Sequence, residues 1–436
     1  MWTYHPELLA RAVPRYTSYP TAADFGPLDS GAIERAMGEA SGDVSLYLHI
    51  PFCEMICYYC GCNTGVAGKR ARVESYLAAL HQEIATVASL LPASARVRRI
   101  AFGGGSPNAI LPAEFLALVD ALHAHFPLYA PTWSIELDPR SMNPAWGRAI
   151  GEVGMTFASM GVQTFAPHCQ KAIGREQSPL LISRSVEWLR AAGVTSLNFD
   201  LMYGLPHQST ADLADSLENT RLMGADRIAL FGYAHVPHIV PRQKMIPEEA
   251  LPGAIERFAM AEQGFAALTG HGYRPIGFDH FALPHDPMAE AARTRRLKRN
   301  FQGFTDEPSD VLIGLGSSAI SSFPGLIAQN EKNNGRYRML SSQGRLSAVH
   351  GIVRHGDDQL RGAVIEQLLC QGHTAIAPCL LGEVRAALAP FLTRDLARLS
   401  GHQLAITDQG LPYARVIASL FDAYRAGSHQ RFSSAI

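Results

Sequence analysis

The 436-residue sequence has almost no net charge: 38 lysines and arginines stand against 39 aspartates and glutamates, leaving -1. That balance removes the global field by which nucleic-acid-binding and membrane-surface proteins gather their partners. Any charged ligand must therefore be met locally, and no nucleic-acid partner is expected. No apolar run reaches the roughly 18 residues of a membrane-spanning helix, so no membrane span is expected. The opening MWTYHPELLARAVPRYTSYP lacks both a basic n-region and an apolar h-region, so an unexported, cytoplasmic protein is expected. Cysteines are few, seven in all, and four of them fall between positions 53 and 62. A disulfide framework needs pairs spread along a short secreted chain, which excludes that use here. A metal-binding cluster in a reducing compartment is the better reading, with Cys169, Cys370 and Cys379 as small buried hydrophobes.

What the sequence does have is a repeated alternation. Runs of β-branched and apolar residues at 45–50, 97–102, 133–137, 156–162, 196–201 and 227–233 are separated by stretches with helical spacing, such as VESYLAALHQEIATVASLL. Strand, helix, strand repeated this way predicts parallel strands with right-handed crossovers. Six such units fit an α/β fold, an open parallel (β/α)6 three-quarter barrel related to the eight-stranded form; a doubly wound sheet has the same local pattern. Unusual residues break the tie, because they collect at the carboxyl ends of the strands, where parallel α/β folds build their sites. Cys53 follows the first strand, Gly103 to Ser106 the second and Ala234 the sixth, while Glu136, Gln163 and Asp200 close the third, fourth and fifth. The expected domains are an N-terminal extension over the barrel mouth (1–40), a catalytic domain (41–345) with an extension after about 240, and a small, mainly helical C-terminal domain (346–436).

In HIPFCEMICYYCGC, Cys53, Cys57 and Cys60 form a CxxxCxxC loop directly after a strand, with Cys62 two residues beyond. Soft thiolates at this spacing select zinc, copper(I) or an iron–sulfur cluster. Structural zinc normally takes four ligands and staples a small module, whereas three cysteines leave one iron of a four-iron cluster open to substrate. Zinc remains the alternative at this point.

The motif, with Tyr59 just before its third cysteine, resembles the radical S-adenosylmethionine superfamily. The wider pattern resembles the oxygen-independent coproporphyrinogen III oxidase family. The resemblance is carried in order by PRYTSYPTA (14–22), LYLHIPFCEMICYYCGCNT (46–64), GGGSPN (103–108), IELDPR (135–140), MGVQTF (160–165), GREQ (174–177), FDLMYGLP (199–206), YAHVP (233–237), FDHFALP (278–284), RNFQGFT (299–305), GLGSSAIS (314–321) and the ending QRFSSAI.

The resemblance implies a [4Fe-4S] cluster on Cys53, Cys57 and Cys60, with S-adenosylmethionine chelated at the open iron and cleaved by one electron to methionine and a deoxyadenosyl radical. It assigns Tyr47, Gly104, Glu136, Ala234 and Ile320 to that molecule. A second S-adenosylmethionine is implied beside it, contacted by Tyr59, Gly105, Ser106, Gln163, Arg175 and Asp200; Ser106 stands where threonine is common. Each assignment has a plainer alternative: a tight turn for the glycines, a salt-bridged carboxylate for Glu136, an Arg175–Asp200 ion pair for those two.

The substrate implied is coproporphyrinogen III, two of whose propionates become vinyl groups to give protoporphyrinogen IX. A low-potential flavodoxin or ferredoxin is the implied electron donor, and a monomer is expected. Aromatic and basic side chains should receive the tetrapyrrole. The tract RTRRLKRN (293–300) offers five cations, against a solvated charged face as the alternative; His280 is either a substrate contact or a hydrogen-bonded loop histidine. PRYTSYPTA cannot be a regular helix. If it lies over the mouth, deleting residues 1–22 should abolish turnover and leave the cluster bound. The rivals are a haem-binding chaperone on the same barrel, whose members lack PRYTSYPTA and the fourth cysteine, and a radical methyltransferase or haem-degrading enzyme.

Overall fold

The computed structural model describes residues 1–425 except Pro308; the ending QRFSSAI lies outside the described residues. The chain is organised around one thirteen-stranded sheet. Its centre is six parallel strands in sequence order: β1 (Gly42–Ile50), β2 (Ala95–Gly104), β3 (Leu128–Leu137), β4 (Phe157–Gln163), β5 (Ser196–Tyr203) and β6 (Arg227–Gly232). All six runs read from the sequence are strands, several of them longer than their apolar cores. The crossovers are helices α1 (Arg70–Leu90), α2 (Pro112–His125), α3 (Pro144–Val153), α4 (Pro179–Ala191) and α5 (Thr210–Leu222).

Local chemistry fixes where these helices begin and end. Asn143 caps α3 by accepting from the amides of Ala145 and Trp146, Pro144 takes the first turn, and left-handed Gly154 stops it at φ 72°. Ser209 and Asp212 form a reciprocal capping box on α5. Helix α1 buries Val73, Tyr76, Leu77, Leu80, Ile84 and Val87, an i, i+3, i+4, i+7 stripe lying on the sheet.

The sheet is open at both ends. Beyond β6, helix α6 (Ala254–Gly270) leads to the antiparallel β7 (Arg274–Ile276) and β8 (His280–Ala282), with β8 pairing with β6. On the other side, β9 (Val311–Leu315) joins β1 in parallel, followed by antiparallel β10 (Ile320–Phe323), β11 (Leu326–Asn330) and β12 (Ala348–Val353). The two-residue strand Gly26–Pro27 closes that edge against β12.

Two boundaries differ from the sequence reading. Strand β12 belongs to the large sheet, so the C-terminal unit starts near Gly356 rather than at 346. Residues 26–40 likewise pack into the sheet edge instead of lying over the mouth; Ile33, Met37 and Ala40 sit in the main core. The C-terminal unit holds helices α7 (Gly356–Gln371) and α8 (Pro378–Thr393), and also a three-stranded antiparallel sheet of His373–Ala375, Ala397–Ser400 and Gln403–Ile406. Its strands are three or four residues long, too short to show a period beside strong helical signals.

Leu9, Val13, Tyr16 and Tyr19 enter the hydrophobic core of this C-terminal unit. The N-terminal segment thus has two jobs: its apolar side chains anchor it on the C-terminal unit, while Arg15 reaches Gly232 O at the end of β6 (3.0 Å). PRYTSYPTA is irregular as expected, with a short 3-10 turn only at Ala22–Asp24.

Candidate active site

Period-two alternation decides which side chains face the concave side. In β1, Leu46, Leu48 and Ile50 are fully buried toward the helices, which turns Tyr47 and His49 the other way. The same alternation sets Glu136 between Ile135 and Leu137, and Asp200 between Phe199 and Leu201, all four apolar neighbours being buried.

One cavity of about 450 Å³ is lined by Gly104 of β2, Glu136 of β3, Gln163 of β4, Asp200 of β5 and Phe231 of β6, together with Cys53, Cys57, Cys60 and Cys62. On a flat sheet, five strands at about 4.8 Å spacing would spread those residues over about 19 Å. Their convergence means the sheet is curved into an open barrel with the cysteine loop at the carboxyl-terminal mouth.

The three motif thiols are free. Among the described residues, the only three potential ligands with donor atoms all within 4.8 Å of one another are His168, Cys169 and Asp212, so at least one pair of the three motif sulfurs stands farther apart than that. Two thiolates on one zinc ion cannot be separated by more than about 4.6 Å, twice the zinc–sulfur bond. In at least one pair the motif thiols as folded are therefore wider apart than the two sulfurs of a single zinc site.

Cys53 Sγ lies 3.2 Å from Thr64 Oγ1 and 3.6 Å from Ser106 Oγ. Cys60 Sγ accepts from the amide of Cys62 at 3.4 Å. That contact and the Cys62 side chain lower the Cys60 thiol below its ordinary range.

Behind the loop is a charge cluster that sequence reasoning only half found. Arg140 Nη2 and Arg175 Nη1 both donate to Cys57 Sγ, at 3.2 and 3.3 Å. Asp138 holds the two guanidiniums, accepting from Arg140 Nη2 at 2.7 Å and from Arg175 Nη1 at 3.2 Å. Two buried cations face one carboxylate, so negative charge on the Cys57 sulfur would complete the balance.

Asp138 and Arg140 sit in the IELDPR block, from which the family resemblance singles out Glu136 alone. The available signal was the Asp-Pro-Arg turn after a strand: the Asp138 carboxylate accepts from the Arg140 amide at 2.9 Å. The Arg175–Asp200 ion pair is not formed, because Arg175 is taken by Asp138 and by Gly161 O (Nε, 3.1 Å). Asp200 instead accepts from Asn198 Nδ2 (2.8 Å) and Ser159 Oγ (3.2 Å).

The glycine run is packed closely against other parts of the chain. A Cβ on Gly103 would lie 2.7 Å from Glu136 Oε2, one on Gly104 2.6 Å from the His49 ring, and one on Gly105 2.5 Å from Phe52 O. These glycines admit neighbouring protein groups, and Gly104 and Gly105 also line the cavity; Gly104, at φ 110°, adopts a backbone conformation closed to most residues.

The Gly104 amide donates to Glu136 Oε2 at 3.2 Å. Burial, with Asp200 nearby, pushes the Glu136 carboxyl up to about 7, and burial raises Asp200 as well. Gln163 ends β4 at φ 68°, a left-handed position beside a register shift, which marks backbone held at the cavity wall.

Tyr59, Gly105, Ser106, Gln163, Arg175 and Ala234 also line the cavity; Tyr47 and Ile320 do not. Tyr47 lies behind, its hydroxyl 3.3 Å from His49 Nδ1, and Ile320 is next to it across Gly314. His49, missed in the sequence although it shares a face with Tyr47, donates through Nε2 to Asn63 O (3.2 Å), and burial lowers its pKa to about 4.

The tract 293–300 does not form a basic patch on the site. Arg293 pairs with Glu290 at the exposed surface and Lys298 with Asp310. Only Arg299 turns inward, stacking on Phe304 (4.4 Å) and Phe278 (5.0 Å). His280 is hydrogen-bonded to Asp279 at 2.6 Å. Cys169 and Cys370 are buried as expected, but Cys379 is exposed, standing in the first turn of α8 where that helix meets solvent.

A parallel α/β core with a three-cysteine loop at its carboxyl mouth defines a class of protein, and residues 47–219 match the Radical SAM superfamily. Over nearly the whole chain the similarity is narrower. The oxygen-independent coproporphyrinogen III oxidase of Cereibacter sphaeroides is 41% identical, covering 95% of each chain. That of Bradyrhizobium diazoefficiens is 39% identical over 97% of each. The solved coproporphyrinogen III oxidase of Escherichia coli, described as a radical SAM enzyme, superposes with a TM-score of 0.91 at 34% identity, over 97% of this chain and 99% of that one. The chain belongs to the oxygen-independent coproporphyrinogen III oxidase family.

Proposed function

We propose that this protein oxidatively decarboxylates two propionates of coproporphyrinogen III to vinyl groups, as the names of its relatives describe, by radical S-adenosylmethionine chemistry. Each propionate loses one hydrogen atom, carbon dioxide and one electron, so an electron acceptor is required. The observation that carries the reading is the loop of Cys53, Cys57 and Cys60, which lines the cavity that five strand ends share. These thiols hold a [4Fe-4S] cluster, which with bound S-adenosylmethionine supplies the hydrogen-abstracting radical.

The chain's own residues bind, orient and enclose. Arg140 and Arg175 stabilise negative charge on Cys57. Glu136, buried beside the Gly104 amide, presents a carboxylate to an ammonium or ribose hydroxyl, and Ala234 completes that side, with Tyr47 and Ile320 backing it from behind the cavity wall. Tyr59, Gly105, Ser106, Gln163, Arg175 and Asp200 also line the cavity, and a second S-adenosylmethionine would be held by them. Arg15 of the N-terminal segment lines the cavity, and excluding water there would keep a reactive carbon-centred radical on its intended target. A flavodoxin or ferredoxin is the donor, and the protein acts as a cytoplasmic monomer.

The test is anaerobic reconstitution with iron and sulfide, followed by reductant, S-adenosylmethionine and coproporphyrinogen III. Protoporphyrinogen IX, methionine and deoxyadenosine are expected together. Stoichiometric haem binding without deoxyadenosine would replace this reading with a carrier.

A further inference from the structure

The three motif sulfurs have different neighbours. Cys53 Sγ lies beside two neutral hydroxyls, Thr64 Oγ1 at 3.2 Å and Ser106 Oγ at 3.6 Å, and Cys60 Sγ accepts from one neutral amide, that of Cys62 at 3.4 Å. Cys57 Sγ accepts instead from two guanidiniums, Arg140 Nη2 at 3.2 Å and Arg175 Nη1 at 3.3 Å. The hydrogen bonds from cations are gathered on one corner of the loop, and charge-assisted bonds are roughly twice as strong as neutral ones. Arg175 belongs to the residues that would hold a second S-adenosylmethionine; Arg140 has no part in either proposed cofactor contact.

Arg140 is held at that corner with little freedom. Asp138 Oδ1 accepts from its amide (2.9 Å) and its Nε (3.0 Å), and Asp138 Oδ2 accepts from its Nη2 (2.7 Å). The side chain is thereby clasped to the turn that follows β3. That turn is pinned in its own right: the Asp138 amide donates to Asn108 Oδ1 (3.0 Å), and Asn108 Nδ2 donates to Asp138 O (2.8 Å). Asn108 is buried and ends the GGGSPN block. A donor fixed in this way loses little further rotamer freedom when an acceptor arrives.

One part of this guanidinium is unused. Arg140 Nη1 is buried and has no hydrogen-bond partner among the described residues, on a side chain 7% exposed that lines the cavity together with Cys57. A buried donor without an acceptor is costly, and a cluster carried by Cys57 adds acceptor sulfides of its own.

Hydrogen bonds to the sulfurs and the local charge help to set the reduction potential of an iron–sulfur cluster. One added electron increases the negative charge on those sulfurs, so a fixed cation donating to them stabilises the reduced state more than the oxidised one. We propose that Arg140 tunes the radical-generating centre: donating through Nη2 to Cys57 Sγ and through Nη1 toward the cluster, it raises the reduction potential and brings the one-electron reduction within reach of a biological donor. This rests on the proposed cluster at Cys53, Cys57 and Cys60. Asp138 acts through Arg140 as its positioning residue.

The experiment uses full-length reconstituted protein without S-adenosylmethionine, and reads the midpoint potential of the cluster in a redox titration followed by electron paramagnetic resonance. Iron and sulfide are measured on every sample, and fully loaded samples are compared. Arg140→Gln should move the reduction equilibrium about tenfold toward the oxidised cluster, a potential lower by about 59 mV for a one-electron couple. Arg140→Lys, which keeps the charge and loses the fork, should recover part of that shift. Arg293→Gln, at an exposed arginine paired with Glu290, should leave the potential unchanged. A second measurement needs no variant: in wild type grown with arginine carrying the heavy nitrogen isotope, pulsed resonance of the reduced cluster should show a nitrogen coupling that changes with the label.

A loaded Arg140→Gln protein with the wild-type potential overturns the inference, as does a wild type without arginine nitrogen coupling. If the glutamine variant fails to load, the lysine variant and the labelled wild type decide in the same way. A wild type whose cluster potential depends on Arg140 but which forms no vinyl product overturns the proposed reaction and upholds the tuning; a wild type that takes up no cluster overturns both.

Discussion

Replacing Asp138 with asparagine removes the one carboxylate between the Arg140 and Arg175 guanidiniums. Both ion pairs are deeply buried, the side chains being 6–7% exposed. Breaking such a pair by deleting one partner costs about 3–5 kcal/mol, because the remaining charges stay buried without compensation. Asparagine keeps one acceptor oxygen, but its amide points hydrogen toward a guanidinium that can only donate.

The apoprotein should therefore lose about 3–5 kcal/mol in urea unfolding. The reconstituted protein should lose less, because charged cluster sulfur at Cys57 takes over part of the compensation. Burial alone would raise the Asp138 carboxyl, but Arg175 and Arg140 outweigh it and hold the group below its usual value. A depressed folded pKa contributes stability above the unfolded value, near 3.9, and that stability is lost as pH falls through the folded value. Wild-type apoprotein should show this acid loss below about pH 4, and D138N should lack that component. In a double-mutant cycle, D138N and R140Q together should cost less than the sum of the two alone. An apoprotein D138N within about 0.5 kcal/mol of wild type, or strictly additive mutations, would refute the charge-balance argument.

Three further outcomes are expected. Gly105→Ala drives a Cβ to 2.5 Å from Phe52 O, a backbone atom that cannot swing aside, and should cost about 1–3 kcal/mol in urea unfolding; Gly325→Ala, with open space around it, should stay within about 0.5 kcal/mol. Cys57→Ser should abolish the iron–sulfur absorbance after reconstitution, whereas Cys379→Ser, at an exposed site, should leave it intact. Glu83 accepts from the Gly316 amide (2.6 Å), Tyr337 Oη (2.7 Å) and Asn330 Nδ2 (2.9 Å), yet burial pushes its carboxyl up to about 7. A raised folded pKa means stability present below about pH 4.5 and lost as pH rises toward 7, about 3 kcal/mol in all, so E83Q should flatten that part of the pH–stability curve.

Deleting residues 1–22 is a poorer test than the sequence suggested. It removes Leu9, Val13, Tyr16 and Tyr19 from the core of the C-terminal unit, and lost turnover would then report misfolding as much as an open mouth.

The sequence by itself determined the six parallel strands, because apolar runs of strand length alternate with helical stripes and cap residues. It determined the cysteine loop, because three thiols at CxxxCxxC spacing are neighbours in any backbone conformation. It also determined the strand-end positions of Glu136, Gln163 and Asp200, since a period of two assigns each a face. Tertiary structure alone decided who pairs with whom. Arg175 is 37 residues from Asp138 and 118 from Cys57, and their meeting depends on the curvature of the sheet, which leaves no local mark. The same holds for Arg15, Arg257 and Arg415: each is an ordinary arginine in its own segment, and only the docking of both chain ends against the sixth strand brings them to line one cavity. Sequence periodicity encodes the direction of a side chain within its element, whereas contacts between elements are set by packing distributed over the whole core.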